Sequence, residues 1–299
     1  MTNLVDHLRQ LALNWLFNVP SFQNAWNQRW RQEIINRVGN NPDVNNILDL
    51  GNVLSDVFLT TRAGGRGQGR LTGAGAAWEC LVCWYMNLCL LGSRSVSMKY
   101  TKTLVPKSIT DATTVMYGNF SSASESDIVT IVFPNIDEVT DDLHRENLEA
   151  SDFKDELDRI TETHLNNIQV GITQCKTNWN DNAQTPMLWD MIYRVQQFRD
   201  QNISVGTNGF GIQDLGEFTY SFATVPSQNI TYSANGTPAN RVRNLSGGNF
   251  WGHPTQENVA MSIREIFNRN FAAGQNNGLR QDLGNELENL RDDYPYFNL

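Results

Sequence analysis

Val170-Gly171-Ile172-Thr173-Gln174-Cys175-Lys176 is an apolar, β-branched run that closes on an amide and, two residues later, a lysine. Branched side chains favour a pleated strand, and residues two apart share one face of it. The run predicts a strand from Ile168 to Cys175, with Gln174 and Lys176 projecting together from its end. Upstream, Ser126-Asp127-Ile128-Val129-Thr130-Ile131-Val132-Phe133 predicts a second apolar strand, from Ile128 to Phe133, headed by an acid. A third strand is predicted from Ser95 to Thr103, preceded by a helix from about Thr72 to Leu91. Downstream, Met187, Leu188, Met191, Ile192 and Val195 carry helical spacing between about Pro186 and Phe198, and Phe218 to Val225 alternates as a strand does. Helix, three strands, helix, strand is the order of a mixed α/β layer fold.

The flanks read differently. Residues 1 to 60 are predicted helical: Ser21 is placed to cap a helix carrying Phe22, Trp26 and Trp30 and ending at Gly39, and Asn41-Pro42 to cap and start another bearing Val44, Ile47, Leu48, Leu54, Val57 and Phe58. Arg29, Arg31 and Arg37 are read as a solvated face ahead of a phosphate contact. Leu245 to Gly252 reads as a tight loop and Glu257 to Phe271 as a helix. The expected division is a helical region over 1 to 60, a core over 61 to 230 with an acidic insertion over 134 to 166, and a loop and helical extension over 231 to 299.

The net charge of −9 taken as a whole opposes a polyanionic partner, but its distribution does not. Eleven acidic and three basic residues between Pro134 and Asn166 account for eight of the nine net negative charges. Between Arg62 and Lys107 seven basic residues face a single acid, Glu79. The glycine-rich stretch from Thr61 to Arg70 lets a backbone approach phosphate while Arg62, Arg66 and Arg70 supply charge, or it serves as a linker; the Gly-Lys-Ser/Thr ending of a Walker loop is missing.

Other chemistries find no support. His7, His144, His164 and His253 share no ligand spacing, and neither a Gly-x-Ser-x-Gly elbow nor a dinucleotide fingerprint occurs. Cys80-x-x-Cys83 has no second pair, so Cys80, Cys83 and Cys89 are read as core thiols. The longest apolar run, Cys80 to Leu91, is shorter than the roughly 20 residues a bilayer requires, and no secretory leader is recognisable. A cytoplasmic protein without a membrane partner is therefore expected.

On the acid-headed strand and the Gln174-Cys175-Lys176 ending, the chain resembles the PD-(D/E)XK nuclease superfamily, to which most type II restriction endonucleases belong. The resemblance spans roughly residues 70 to 225 and implies a restriction-endonuclease-like mixed β-sheet core flanked by helices. It implies a Mg2+-dependent endonuclease acting on double-stranded DNA, with a homodimer where the target is palindromic. In that family an acid on one strand and an acid-x-Lys motif on the next converge at one end of the sheet. By that likeness Asp127, Gln174 and the Cys175 carbonyl would hold the metal, and Lys176 would orient or deprotonate water or stabilise the scissile phosphate. Gln174 departs from the usual acid and removes one charge from the metal site. Glu79, a lone carboxylate in an apolar helix, needs a partner; the resemblance makes it an additional metal ligand or an acceptor for metal-bound water, and an arginine ion pair is the alternative.

DNA contacts are expected from Arg62, Arg66, Arg70 and Lys99, from the amides Asn178, Asn180 and Asn182 unless they form only a polar turn, and from Arg241 and Arg243. The competing functions are a repair or modification-dependent defence nuclease and an inactive nuclease fold that only binds DNA.

Overall fold

The computed structural model describes residues 3–61, 73–101, 103–122, 126–142, 148–177, 203–225, 235–252 and 262–299. The predicted helix of residues 186 to 198 lies outside this set.

Near the N-terminus, helix α1 (Leu4–Phe17) is followed by α2 (Pro20–Ala25), a π-helical turn (Trp26–Trp30) and α3 (Arg31–Val38). The last three run on as one continuous helical path, so Phe22, Trp26 and Trp30 reach the core together, and the path stops at Gly39, whose φ is +79°. Ser21 does not cap it: the helix starts one residue earlier, at Pro20, whose fixed φ suits a first helical position. Asn41-Pro42 does not cap α4 (Val44–Leu59) either. Asp43 does, because its carboxylate accepts from Asn46 N while the Asn46 amide oxygen accepts from Asp43 N.

Helix α5 (Ala74–Cys89) is buried on nearly all sides, as an apolar helix must be. It lies between the helical layer and a five-stranded sheet ordered β1 (Ser95–Lys99), β4 (Ile128–Val132), β5 (Gln169–Lys176), β7 (Glu217–Thr224), β8 (Phe250–Gly252). The β1–β4 and β4–β5 pairs are antiparallel, whereas the β5–β7 and β7–β8 pairs are parallel. The chain is thus α/β with a mixed sheet, as the sequence pattern predicts. A smaller antiparallel sheet, β3-β2-β6, comprises Val115–Tyr117 (β2), Phe120–Ser122 (β3) and Ile203–Val205 (β6), strands too short to carry a periodic signal.

One face of the large sheet, through Ile128, Val132 and Cys175, packs on α5 and the N-terminal helices. The other, through Val129, Ile131, Val170 and Ile172, packs on α8 (Ala150–Thr163) of the acidic segment and on α9 (Thr237–Leu245). α8 turns Phe153, Leu157 and Ile160 inward, so this part of the acidic segment is an amphipathic helix. Gly171 admits the Phe271 ring on the α5 face, since a Cβ there would stand 2.7 Å from it.

One expectation is corrected here. Gly247 and Gly248 turn the chain at φ +61° and +90°, but the residues after them form β8 rather than more loop. The sheet therefore extends past residue 230, and the helices of residues 1 to 60 share one hydrophobic core with α5 and the C-terminal helices. The predicted helix from Glu257 is described only as α10 (Ile263–Asn270), capped by Ser262 with Glu265.

The outer edge of β1 is closed by side chains. Bonds from Phe133 N to Arg94 O and from Tyr100 N to Asp127 O show that even-numbered residues of this stretch face β4, so Ser95 and Ser97 turn their backbone groups outward. Buried Asn87 of α5 gives its amide N–H to Ser97 O (2.6 Å) and accepts from Ser97 N (3.0 Å). Buried Arg9 of α1 donates to Ser95 O at 2.9 Å. A bare sheet edge is an open template for pairing, and these groups occupy it.

Candidate functional site

The end of the sheet formed by the C-termini of β1 and β5 and the N-terminus of β4 gathers most of the described chemistry-bearing residues. β4 starts at Ile128, which pairs with Thr173, so Asp127 falls one step beyond the ladder, beside Gln174. Cys175 has no β4 residue to bond, and the half-buried Asp127 takes the place of one: its Oδ2 accepts from Cys175 N at 2.7 Å. N–H and C=O of a strand residue point to the same edge, so the Cys175 carbonyl is turned to this side as well.

Burial pushes the Asp127 carboxyl above its usual range, opposed by the Cys175 N–H and by the charges of Lys99 and Lys176. Asp127 immediately precedes β4, with a lysine on each of the strands beside β4. Gln174 is 1 % exposed and shares its face with Val170 and Ile172. Its Oε1 accepts from the Tyr220 hydroxyl of β7 at 2.7 Å, a contact invisible in sequence until the parallel register Ile172↔Tyr220 is known. Lys176 is half-buried at the end of the same strand.

Glu79 does find a cation, and it is Lys99 rather than an arginine. The pair joins α5 to the end of β1, with Lys99 and Glu79 side chains 14 % and 19 % exposed. Burial lowers the Lys99 pKa, while the neighbouring Cys175 and Asp127 raise it.

The remaining candidates divide. Arg62, Arg66, Arg70, Asn178, Asn180 and Asn182 lie outside the described residues. Arg241 and Arg243 are on α9, which leads into edge strand β8, two strands from β5. The described cations between residues 62 and 107 are not one patch: Arg94, at the start of β1, donates to Ala273 O, and Lys107 pairs with Asp111 of its own helix α6 (Lys107–Thr113). Arg29 donates to Thr60 O at 2.7 Å and Arg31 to Asn298 O at 2.9 Å, so both lie on an exposed, self-bonded face. All four cysteines are buried free thiols, and burial lifts Cys80 to about 12.

Among the described residues no three His, Cys, Asp or Glu side chains converge as a metal cluster, and no helix is long and apolar enough to cross a membrane. The donor set at the sheet end is one carboxylate, one amide oxygen and one backbone carbonyl. Hard oxygens of this kind suit magnesium, which commonly takes one or two carboxylates and completes its shell with water and substrate phosphate.

Tyr220→Phe tests how far the buried amide depends on its donor. It is expected to cost about 1 kcal/mol of stability by leaving Gln174 Oε1 without that hydrogen bond, read from urea unfolding. An unchanged midpoint would show that another group replaces the hydroxyl. Compared with protein-family models, curated proteins and solved structures, the chain matches none.

Proposed function

We propose that the protein is a Mg2+-dependent DNA endonuclease, most simply a sequence-specific type II restriction enzyme working as a homodimer on double-stranded DNA. One observation carries the reading: Asp127 and Gln174-Cys175-Lys176 lie on adjacent strands at one end of a mixed sheet, locked by the bond from Cys175 N to Asp127. This is the juxtaposition that the resemblance to PD-(D/E)XK nucleases implies.

Asp127, the Gln174 amide oxygen and the Cys175 carbonyl would hold the metal, which when bound supplies charge neutralisation at the phosphate and acidifies coordinated water. The chain's own groups do the rest. Asp127 is fixed in direction by the Cys175 amide, and Gln174 by the Tyr220 hydroxyl, so neither has to be ordered when substrate arrives. Lys176, on the face of Gln174, directs an N–H toward the phosphate oxygens or takes a proton from water.

A second reading, an inactive nuclease-like fold that binds DNA, is favoured by the partners already present. Asp127 is engaged by Cys175, Gln174 by Tyr220 and Glu79 by Lys99. Plasmid incubated with magnesium separates the two. Discrete fragments from the wild-type chain, reduced roughly 10²- to 10³-fold in rate by Lys176→Ala with duplex affinity largely kept, are the expected result. Gel-shifted but intact plasmid would establish the second reading, and full cleavage by Lys176→Ala would remove that residue from the chemistry.

A further inference from the structure

We propose that Lys99, tethered by Glu79, is a second phosphate-facing cation of this site, and that Glu79 is a positioning residue for it rather than a metal ligand. The inference rests on the nuclease reading and adds to it a residue outside the Asp and Gln-x-Lys pattern. Three features of the fold support it.

The first is placement. Lys99 is the last residue of β1, and β1 is the neighbour of β4 on the side away from β5. Asp127 thus has Lys176 on one adjacent strand and Lys99 on the other, and it senses the charge of both. A phosphodiester drawn to Asp127 through a metal would meet a cation from each side.

The second is pre-organisation. A lysine stem is flexible and loses side-chain entropy when it is held, but Lys99 is already held, with its ammonium on Glu79 and its side chain largely buried. An ammonium has three N–H donors; Glu79 takes one, which leaves others for phosphate oxygens.

The third is charge. Gln174 in place of an acid leaves Asp127 and Glu79 against Lys99 and Lys176, so the described ionic set is neutral. With Glu79 occupied by Lys99, a bound metal would have Asp127 as its one carboxylate from this set, and more of the charge that develops on the phosphate would fall to the lysines. In the hydrolysis the water oxygen bonds to phosphorus, the bond from phosphorus to the leaving sugar oxygen breaks, and one water proton ends on that oxygen. Lys99 neither gains nor loses a proton.

The test is a double-mutant cycle of Lys99→Met and Glu79→Gln, with Lys99→Arg as the charge-keeping variant. It is read by single-turnover plasmid cleavage, by magnesium titration, and by the salt dependence of binding to a duplex oligonucleotide without magnesium. Lys99→Met is expected to slow cleavage roughly 10²-fold or more and to lower the salt slope by about one. Lys99→Arg should keep the slope. Glu79→Gln should slow cleavage about 10-fold, leave the magnesium midpoint unmoved, and add nothing in the Lys99→Met background.

An additive Glu79→Gln effect with a raised magnesium requirement would make Glu79 a ligand and overturn the proposal. So would Lys99→Met with wild-type cleavage and slope, or with a lowered melting temperature as its only change. A wild-type chain that cleaves no DNA refutes the nuclease reading by itself; an unchanged slope in Lys99→Met then also removes the phosphate contact.

Discussion

Asp127→Asn is expected to reduce magnesium-dependent cleavage roughly 10³-fold while raising the melting temperature of the metal-free protein. The two effects share one cause. Asp127 is the carboxylate at the centre of the sheet end, and burial holds its pKa above the ordinary value even though the Cys175 N–H, Lys99 and Lys176 favour its charged form. A carboxyl whose folded pKa exceeds its unfolded one makes no difference at a pH below both. Its charge costs stability as pH rises through that window, and the cost is complete above it. Asparagine keeps an oxygen for the Cys175 amide and removes the charge, so the neutral-pH penalty disappears together with the proposed metal ligand. Thermal unfolding from acid to neutral pH should therefore show a steeper decline for the wild type than for the variant. A variant that melts lower than the wild type at neutral pH, or that cleaves normally, would contradict the assignment.

Arg9→Met is expected to cost about 3–5 kcal/mol, because three buried carbonyls lose their donor at about 1–3 kcal/mol each. Arg9 is 0 % exposed. Its guanidinium pairs with Asp6 and donates to Leu90 O at 3.2 Å, Ser93 O at 3.3 Å and Ser95 O at 2.9 Å. These carbonyls belong to the residues that carry the chain from the end of α5 into β1, and water cannot easily replace the donor there. Methionine preserves the apolar stem, so the loss reports the guanidinium. Urea unfolding of Arg9→Met beside Asp6→Asn, which should cost only about 1 kcal/mol because Asp6 is partly exposed, separates the carbonyl contacts from the ion pair. A variant within about 1 kcal/mol of the wild type would show that Arg9 merely fills space.

The strands that build the site were legible because their signal is local. Ile128 to Phe133 and Ile168 to Cys175 are dense in branched apolar residues, and β4 and β5 differ from those limits by a residue or so at their ends. The alternation of two also put Gln174 and Lys176 on one face correctly, since that follows from the pleat alone. The short strands β2, β3, β6 and β8 were not legible. Each has three residues, too few for a period to emerge, and each is a strand only because a neighbour supplies the hydrogen bonds. Asp43 is hidden as a cap because the adjacent Asn-Pro pair carries an equally good start signal, and only the backbone direction chooses between them.

By itself the sequence determined that α5 is buried, that two apolar strands end in Asp127 and in Gln174-Cys175-Lys176, and that acidic and basic residues are segregated. These depend on composition and on periods of 2 and 3.6, which any short stretch expresses without knowledge of the rest. Tertiary structure alone decided the partners: Asp127 with Cys175 N, Gln174 with Tyr220, Glu79 with Lys99, and Arg9 with the exit from α5. Each pair joins residues that strand register or helix docking brings together, mostly from distant parts of the chain. Whether a buried polar group has a partner is settled by where the backbones come to rest, and that is a property of the whole fold.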